Sequence, residues 1–213
     1  MSRKFLFLSG TGLIVLAFAL AVVLYQSSQS TSLRGHSQDV FERQGAPVKG
    51  PADARVTIVE FFDPACETCA DFYPYLQQMI DQYPGKVRVM MRYAPLHTGS
   101  DQVVNMLEAA HLQGKFWQTL ELLFKNQRRW ISGHVAQPMR ARGLLNSLAL
   151  DHDRLDSDMS AQEVTNAIQK DVMDGQSLKV RATPEFFVNG RPMPSFGLKQ
   201  LRQLVKEAVE ESY

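Results

Sequence analysis

One stretch constrains this chain more than any other. The nearly all-apolar run Val56-Thr57-Ile58-Val59-Glu60-Phe61-Phe62 leads into Cys66-Glu67-Thr68-Cys69, and a helical pattern follows at once. Such a run fits a central strand covered on both faces. After it, Phe72, Leu76, Met79, Ile80 and Tyr83 recur at helical spacing. Pro74 interrupts that helix, removing an i→i−4 bond and setting the first turn apart from the rest. Pro84-Gly85 ends it, and Val87 to Tyr93 reads as a second strand. A strand, helix and strand in so short a space imply a right-handed crossover with parallel pairing.

The chain holds only two cysteines, and both stand in this junction. A structural zinc site needs four ligands, but there is no second CxxC pair, and the histidines lack ligand spacing. Disulfides that stabilise usually close longer loops than this one. Two thiols three positions apart where a strand meets a helix point instead to reversible redox chemistry of the thioredoxin type. No metal or other cofactor is expected.

Farther on, apolar stripes predict a helical core. Val103, Leu107 and Ala110 form one stripe, and Phe116, Leu120, Leu123 and Phe124 a second. Met139, Leu144, Leu145 and Leu148 form a third, and Val164, Ile168 and Val172 a fourth. Glu185 to Val188 reads as a strand turning at Asn189-Gly190. The prolines of Arg191 to Pro194 confine the return strand to a sheet edge. Leu198, Leu201, Leu204, Val205, Ala208 and Val209 share one face of a last helix. The chain is therefore α/β: a βαβ half, a helical insertion over about 97–178, and a ββα half, with residues 54–213 as the domain.

Ahead of it, Arg3-Lys4 precede the uncharged segment Phe5 to Tyr25, which as a helix is about 32 Å long, against roughly 30 Å of hydrocarbon. Residues 1–25 are expected to be a transmembrane signal anchor, with a cleaved signal peptide as the alternative. Ala17-Phe18-Ala19 and Ala19-Leu20-Ala21 resemble cleavage sites. Positive charge before the span puts the rest outside the cytoplasm, where disulfides are permitted. Residues 26–53 read as a polar tether, with a short strand near Val40-Phe41. Lys+Arg 23 against Asp+Glu 22 leaves no field that would recruit nucleic acid.

Several segments in order resemble the DsbA-like family of extracytoplasmic thiol-disulfide oxidoreductases, over roughly Val48 to the C-terminus. Val59 to Cys69 is similar to the family's active-site strand and turn, and Pro74 to its helix-kink proline. Tyr93-Ala94-Pro95-Leu96-His97 and Gln113-Gly114-Lys115-Phe116-Trp117 resemble segments of bacterial members. Ala182-Thr183-Pro184, before Glu185 to Gly190, resembles the cis-proline loop. The resemblance implies a thioredoxin fold with an inserted helical domain. It also implies cysteine-containing extracytoplasmic substrates and a membrane redox partner, either a quinone-linked oxidase or a transmembrane reductase. A monomer is expected, because the tether is too short and polar to dimerise. The family often has proline after the first cysteine; Glu67-Thr68 here leaves the reaction class intact and the direction, oxidase against reductase or isomerase, open.

The chemistry follows from placement. Cys66 lies at a helix N-terminus, where free N–H groups and the dipole favour its thiolate as nucleophile. Cys69, one turn on, is the resolving thiol. Glu67 is expected to oppose the thiolate by repulsion, so Glu67 and Thr68 tune the potential. Glu60 is either a partly exposed strand residue or, as the resemblance implies, a buried acid that exchanges a proton with Cys69. Pro184 is either a strand-start proline or the cis-proline whose neighbours Ala182 and Thr183 pair with an extended substrate. His97 is given no catalytic role. The competing function is a copper-delivery protein using both thiols for Cu(I), with His97 or Met193 as a further ligand.

Overall fold

The computed structural model describes residues 38–213, together with Phe18 and Leu20. The expected membrane span, and the tether up to residue 37, therefore lie outside the described residues apart from those two positions. Among the described residues no helix is long and apolar enough to cross a membrane.

A five-stranded sheet carries the fold, in the order β1(Val48–Lys49), β3(Val87–Tyr93), β2(Val56–Phe62), β6(Glu185–Val188), β7(Arg191–Pro192). β2 is central, parallel to β3 and antiparallel to β6. Every residue of β2 is buried, as its near-continuous apolar sequence requires. A fully buried Phe contributes about 1.5–3 kcal/mol, and Phe61, Phe62, Phe186 and Phe187 of β2 and β6 are all inaccessible or nearly so. β7 forms one edge, where its proline leaves no ladder bond unmade. The β6–β7 hairpin turns through Asn189 and Gly190 at φ 48° and 75°, a left-handed pair that glycine and asparagine tolerate best. The Asn189 side chain accepts from Thr57 N–H (2.8 Å) and donates to Arg55 C=O (3.1 Å), tying the turn to the start of β2.

The helices run in chain order as α1(Gln38–Phe41), α2(Glu67–Gln82), α3(Ser100–Leu112), α4(Phe116–Lys125), α5(Gln127–Trp130), α6(Pro138–Leu145), α7(His152–Asp158), α8(Gln162–Ser177) and α9(Leu198–Ser212). A small ribbon, β4(Ile131–Ser132) with β5(Val135–Ala136), interrupts the insertion between α5 and α6. Pro74 sits inside α2, whose buried face is Cys69, Phe72, Tyr73, Leu76 and Met79.

Strand alternation divides the sheet into two faces. Val56, Ile58, Glu60 and Phe62 face the large core shared with α2, α9 and most of the insertion. Phe61 faces the other way. Its ring lies under the Arg92 guanidinium (5.2 Å) and against Gly175 of α8, where an added Cβ would come within 3.4 Å of it.

Three sequence expectations change here. Val40-Phe41 belongs to a short helix, not a strand. The folded domain does not begin at residue 54: Phe41 is buried, Arg43 bonds Asp171, and β1 pairs with β3. A polar, glycine-rich stretch conceals such attachments, because each is made to a partner far along the chain. Met139 points outward at 81 % exposure. Pro138 opens α6 and Ala141 and Leu145 carry its buried face instead.

Candidate active site

β2 delivers Phe62 to the carboxyl end of the sheet, and the loop Asp63-Pro64-Ala65 swings the chain into α2. Cys66 is the N-cap of α2, in extended conformation (φ −79°, ψ 119°). Both cysteines are free and buried. The Cys66 thiol donates to the Thr183 carbonyl at 3.2 Å, so the loop before β6 touches the reactive sulfur. The Thr183-Pro184 peptide bond is cis. Thus Cys66, Cys69, Glu60, Thr183 and Pro184, chosen from separate segments of the sequence, converge on one spot, with Ala182 exposed beside it.

The electrostatics separate the two thiols. Cys66 is lowered from 9.0 to about 6, chiefly because its thiolate accepts a hydrogen bond from the Cys69 thiol; burial opposes this, and the Thr183 side chain with the N–H groups of Cys69 and Thr68 add to the lowering. A sulfur at a helix N-cap can collect such N–H groups because they have no partner within the helix. Cys69 moves well up: burial is the main cause, with its hydrogen bond to Cys66 and the charges of Glu60 and Cys66 adding to it. One thiol is therefore a ready nucleophile and leaving group at neutral pH, and the other holds its proton.

Glu60 lies beneath them with no exposed surface. Neither carboxylate oxygen has a partner in hydrogen-bond geometry among the described residues. Burial first, and the Cys66 charge second, push its carboxyl well above the ordinary range, while interaction with the Cys69 thiol pulls the other way. Glu67, in contrast, is exposed, and it is not among the largest influences on Cys66. Glu67 lies in the first turn of α2, and a charge exposed to water acts weakly on its neighbours.

Two residues that hold the site had no individual role assigned from the sequence. Asp63, fully buried, is a hub: Oδ1 accepts from Ala65 N–H (2.8 Å). Its Oδ2 accepts from the N–H groups of Leu96 and His97 and from the Ser100 hydroxyl (2.7, 2.8 and 2.9 Å). His97 adds Nδ1 at 2.9 Å, so its ring is engaged with Asp63. The second is Gln127 of α5, buried, whose Nε2 donates to the carbonyls of Pro64 (3.0 Å) and Cys66 (2.9 Å). An aspartate directly after a buried strand was a usable signal, since it must find donors; a lone glutamine in a helical stretch offered none. Beside the site, a groove of about 850 Å³ runs between α2 and α4–α5, lined by Glu67, Asp71, Tyr73, Pro74, Phe124 and Arg128 among others.

A thioredoxin sheet, a helical insertion, a CxxC at a helix N-cap and a cis-proline loop against the sulfur together make a thioredoxin-type site. A family model described as thioredoxin matches residues 42–207, and the chain belongs to that family. A solved thioredoxin-like oxidoreductase from Silicibacter pomeroyi DSS-3 is 31% identical, with TM-score 0.70 over 83% of this chain and 99% of that one. BdbD from Bacillus subtilis (24% identity, TM-score 0.67, 79% and 95% covered) and alpha-DsbA2 from Wolbachia pipientis (18%, 0.71, 86% and 97%) share the fold. Among curated proteins, Na(+)/H(+) antiporter NhaA 3 of Salinispora tropica is 30% identical over 186 residues, 83% of this chain and 27% of that protein. The chain spans about a quarter of the length of the curated relatives it matches.

Proposed function

We propose that this protein exchanges disulfides with cysteine-containing proteins outside the cytoplasm and works mainly as a disulfide donor. The observation that carries this reading is the asymmetry of the thiols: Cys66 lowered to about 6 and Cys69 raised. Lowering the nucleophile stabilises the reduced pair over the disulfide, which makes the disulfide the better oxidant.

In the donating direction a client thiolate attacks Cys66 Sγ of the Cys66–Cys69 disulfide. The new S–S bond joins client and Cys66, and Cys69 leaves as a thiolate that takes a proton from Glu60. A second client thiolate then attacks the client sulfur and expels Cys66, whose low pKa makes it a good leaving group. One protein disulfide and one client dithiol become one protein dithiol and one client disulfide. A membrane redox partner reoxidises the pair. The client's extended backbone pairs with Ala182 and Thr183; among the described residues no hydrogen bond uses the backbone of Ala182 or the N–H of Thr183. The N-terminal segment tethers the domain to the membrane as a monomer. The copper-delivery reading gains no support from His97, which is turned to Asp63.

The test mixes oxidised protein with a reduced, unfolded cysteine-containing substrate and follows thiol loss, alongside the redox state of Cys66 and Cys69 in cells. Stoichiometric oxidation of the substrate and an oxidised pair in cells are expected. A pair found reduced in cells, with activity only toward existing disulfides, overturns the direction. Tight Cu(I) binding without turnover overturns the reading altogether.

A further inference from the structure

We infer that Gln127 is a positioning residue for Cys66, and that through it the helical insertion sets the reactivity of the thiolate. The geometry is specific. Both hydrogens of one buried side-chain amide are spent on the active-site turn, one on the Pro64 carbonyl at 3.0 Å and one on the Cys66 carbonyl at 2.9 Å. Pro64 has no N–H with which to anchor itself, so its carbonyl is the one backbone handle it offers. The Cys66 carbonyl also accepts the Ala70 N–H at 3.3 Å, the opening bond of α2. Gln127 therefore holds the turn through the carbonyls of Pro64 and Cys66, and Asp63 holds the same turn through the Ala65 N–H.

What this grip fixes is the direction of the Cys66 carbonyl, and with it the extended N-cap conformation at ψ 119°. That conformation keeps Sγ over the first turn, where the N–H groups of Thr68 and Cys69 favour its thiolate. If the carbonyl is released, the turn can rotate and Sγ loses those donors in part. Gln127 is not a catalytic residue, since it touches backbone carbonyls and not the sulfur. The neighbouring structure keeps it in place: Asn126 caps α4 through Leu122 C=O (2.8 Å), and the Trp130 indole, buried, donates to Leu123 C=O (2.9 Å). α5 is thus locked to the end of α4, and a glutamine at its first position faces the turn.

This inference rests on Cys66 being the nucleophile of the proposed reaction. The experiment compares wild type with Gln127→Met, which keeps length and volume but has no donor. The reduced proteins are titrated by thiolate absorbance and equilibrated with glutathione, and their melting temperatures are recorded. In Gln127→Met the thiolate midpoint is expected to rise, cutting the thiolate fraction at pH 5 by about three- to tenfold. The glutathione equilibrium shifts toward the disulfide by a similar factor. A second variant, Gln127→Asn, adds no charge and keeps the amide, but draws it back from both carbonyls by one methylene, and its midpoint should also lie above wild type. A folded Gln127→Met with the wild-type midpoint and equilibrium overturns the inference. If Gln127→Met does not fold, a Gln127→Asn midpoint at or below wild type does so. Client oxidation by wild type tests the function separately, so the two failures are distinguishable.

Discussion

The two faces of the central sheet bury charge in opposite ways. On the α2 face, Glu60 of β2 has no exposure and no hydrogen-bond partner among the described residues. On the α8 face, Arg92 of β3, paired in register with Phe61, is as deeply buried and is bonded through all three of its nitrogens. Its Nε donates to Asp171 and its Nη2 to Asp174, both at 2.5 Å, while its Nη1 reaches the carbonyls of Phe41 (2.7 Å) and Val40 (3.1 Å). Arg43 adds a bond to Asp171 at 2.7 Å, and Lys170 one to Asp174 at 2.6 Å. A buried charge costs several kcal/mol unless it is paired. A fold keeps a satisfied cluster for architecture, here to fasten residues 40–43 and α8 to the sheet. An unsatisfied acid beside two thiols fastens nothing of this kind to the sheet, and the proton transfer proposed for it is what such burial would serve.

The largest expected effect breaks the satisfied side. Arg92→Ala leaves Asp171 and Asp174 buried with only Arg43 and Lys170. Removing one member of a buried ion pair costs about 3–5 kcal/mol; with two cations remaining, about 3 kcal/mol is expected, lowering the melting temperature by roughly 6–12 °C. The glutathione equilibrium of Cys66 and Cys69 should stay within about twofold of wild type, since the sheet screens the thiols from this cluster. Calorimetry and glutathione titration check both parts. A redox shift as large as the stability loss would mean that the two faces are not independent.

Glu60→Gln probes the other side and should do the reverse. Proton delivery to Cys69 slows by on the order of 10²-fold at neutral pH, the usual worth of a positioned acid or base. Single-turnover rates from about pH 6 to 9, where a raised carboxyl and a thiol titrate, measure it, and unaltered rates refute the role. The stability effect carries a sign. Because the folded carboxyl sits above its ordinary value, the folded state keeps a proton that the unfolded chain has released. Stability therefore falls as pH rises from the ordinary carboxylate range through the raised value. Glu60→Gln removes that slope, so its advantage over wild type should grow with pH to about 1–3 kcal/mol. Urea unfolding of the oxidised proteins, whose thiols cannot titrate, isolates it.

What could be read in advance follows the same division. β2, the CxxC at the start of α2, Pro74 within that helix and the cis Thr183-Pro184 bond are local patterns, each complete within about ten residues, and they emerge where expected. Glu60 was visible because a charge in an apolar strand is conspicuous. Arg92, in Val87-Arg88-Val89-Met90-Met91-Arg92-Tyr93, is no less so, and Asp171 and Asp174 stand at i and i+3 on one helix face, but only the fold shows that they meet. Arg43, β1 and Gln127 were hidden for the same reason: each is defined by a partner far along the chain. The attachment of residues 38–53 and the grip of the insertion on the active-site turn are long-range facts, and periodicity records short-range ones.

A third carboxylate sharpens the comparison most finely. Glu67 is as close in sequence to Cys66 as any residue can be, and its charge has the same sign as that of Glu60. It differs only in lying exposed at the first turn of α2. If burial rather than proximity decides what an acid does to this site, Glu67→Gln should raise the reduction potential by only about 5–20 mV, the scale of an exposed charge interaction. Replacing the whole dipeptide, Glu67→Pro with Thr68→His, should raise it further, because a cationic ring beside the thiolate adds attraction to the loss of repulsion. Glutathione equilibria at low and high salt separate the two contributions. The Glu67 effect should fade with salt, since exposed charges are screened within about 10 Å at 0.1 M, whereas the Glu60 effect on the rate should persist. A Glu67→Gln shift that matches the double variant and resists salt would show that its charge reaches Cys66 through the protein, and burial would no longer separate the two acids.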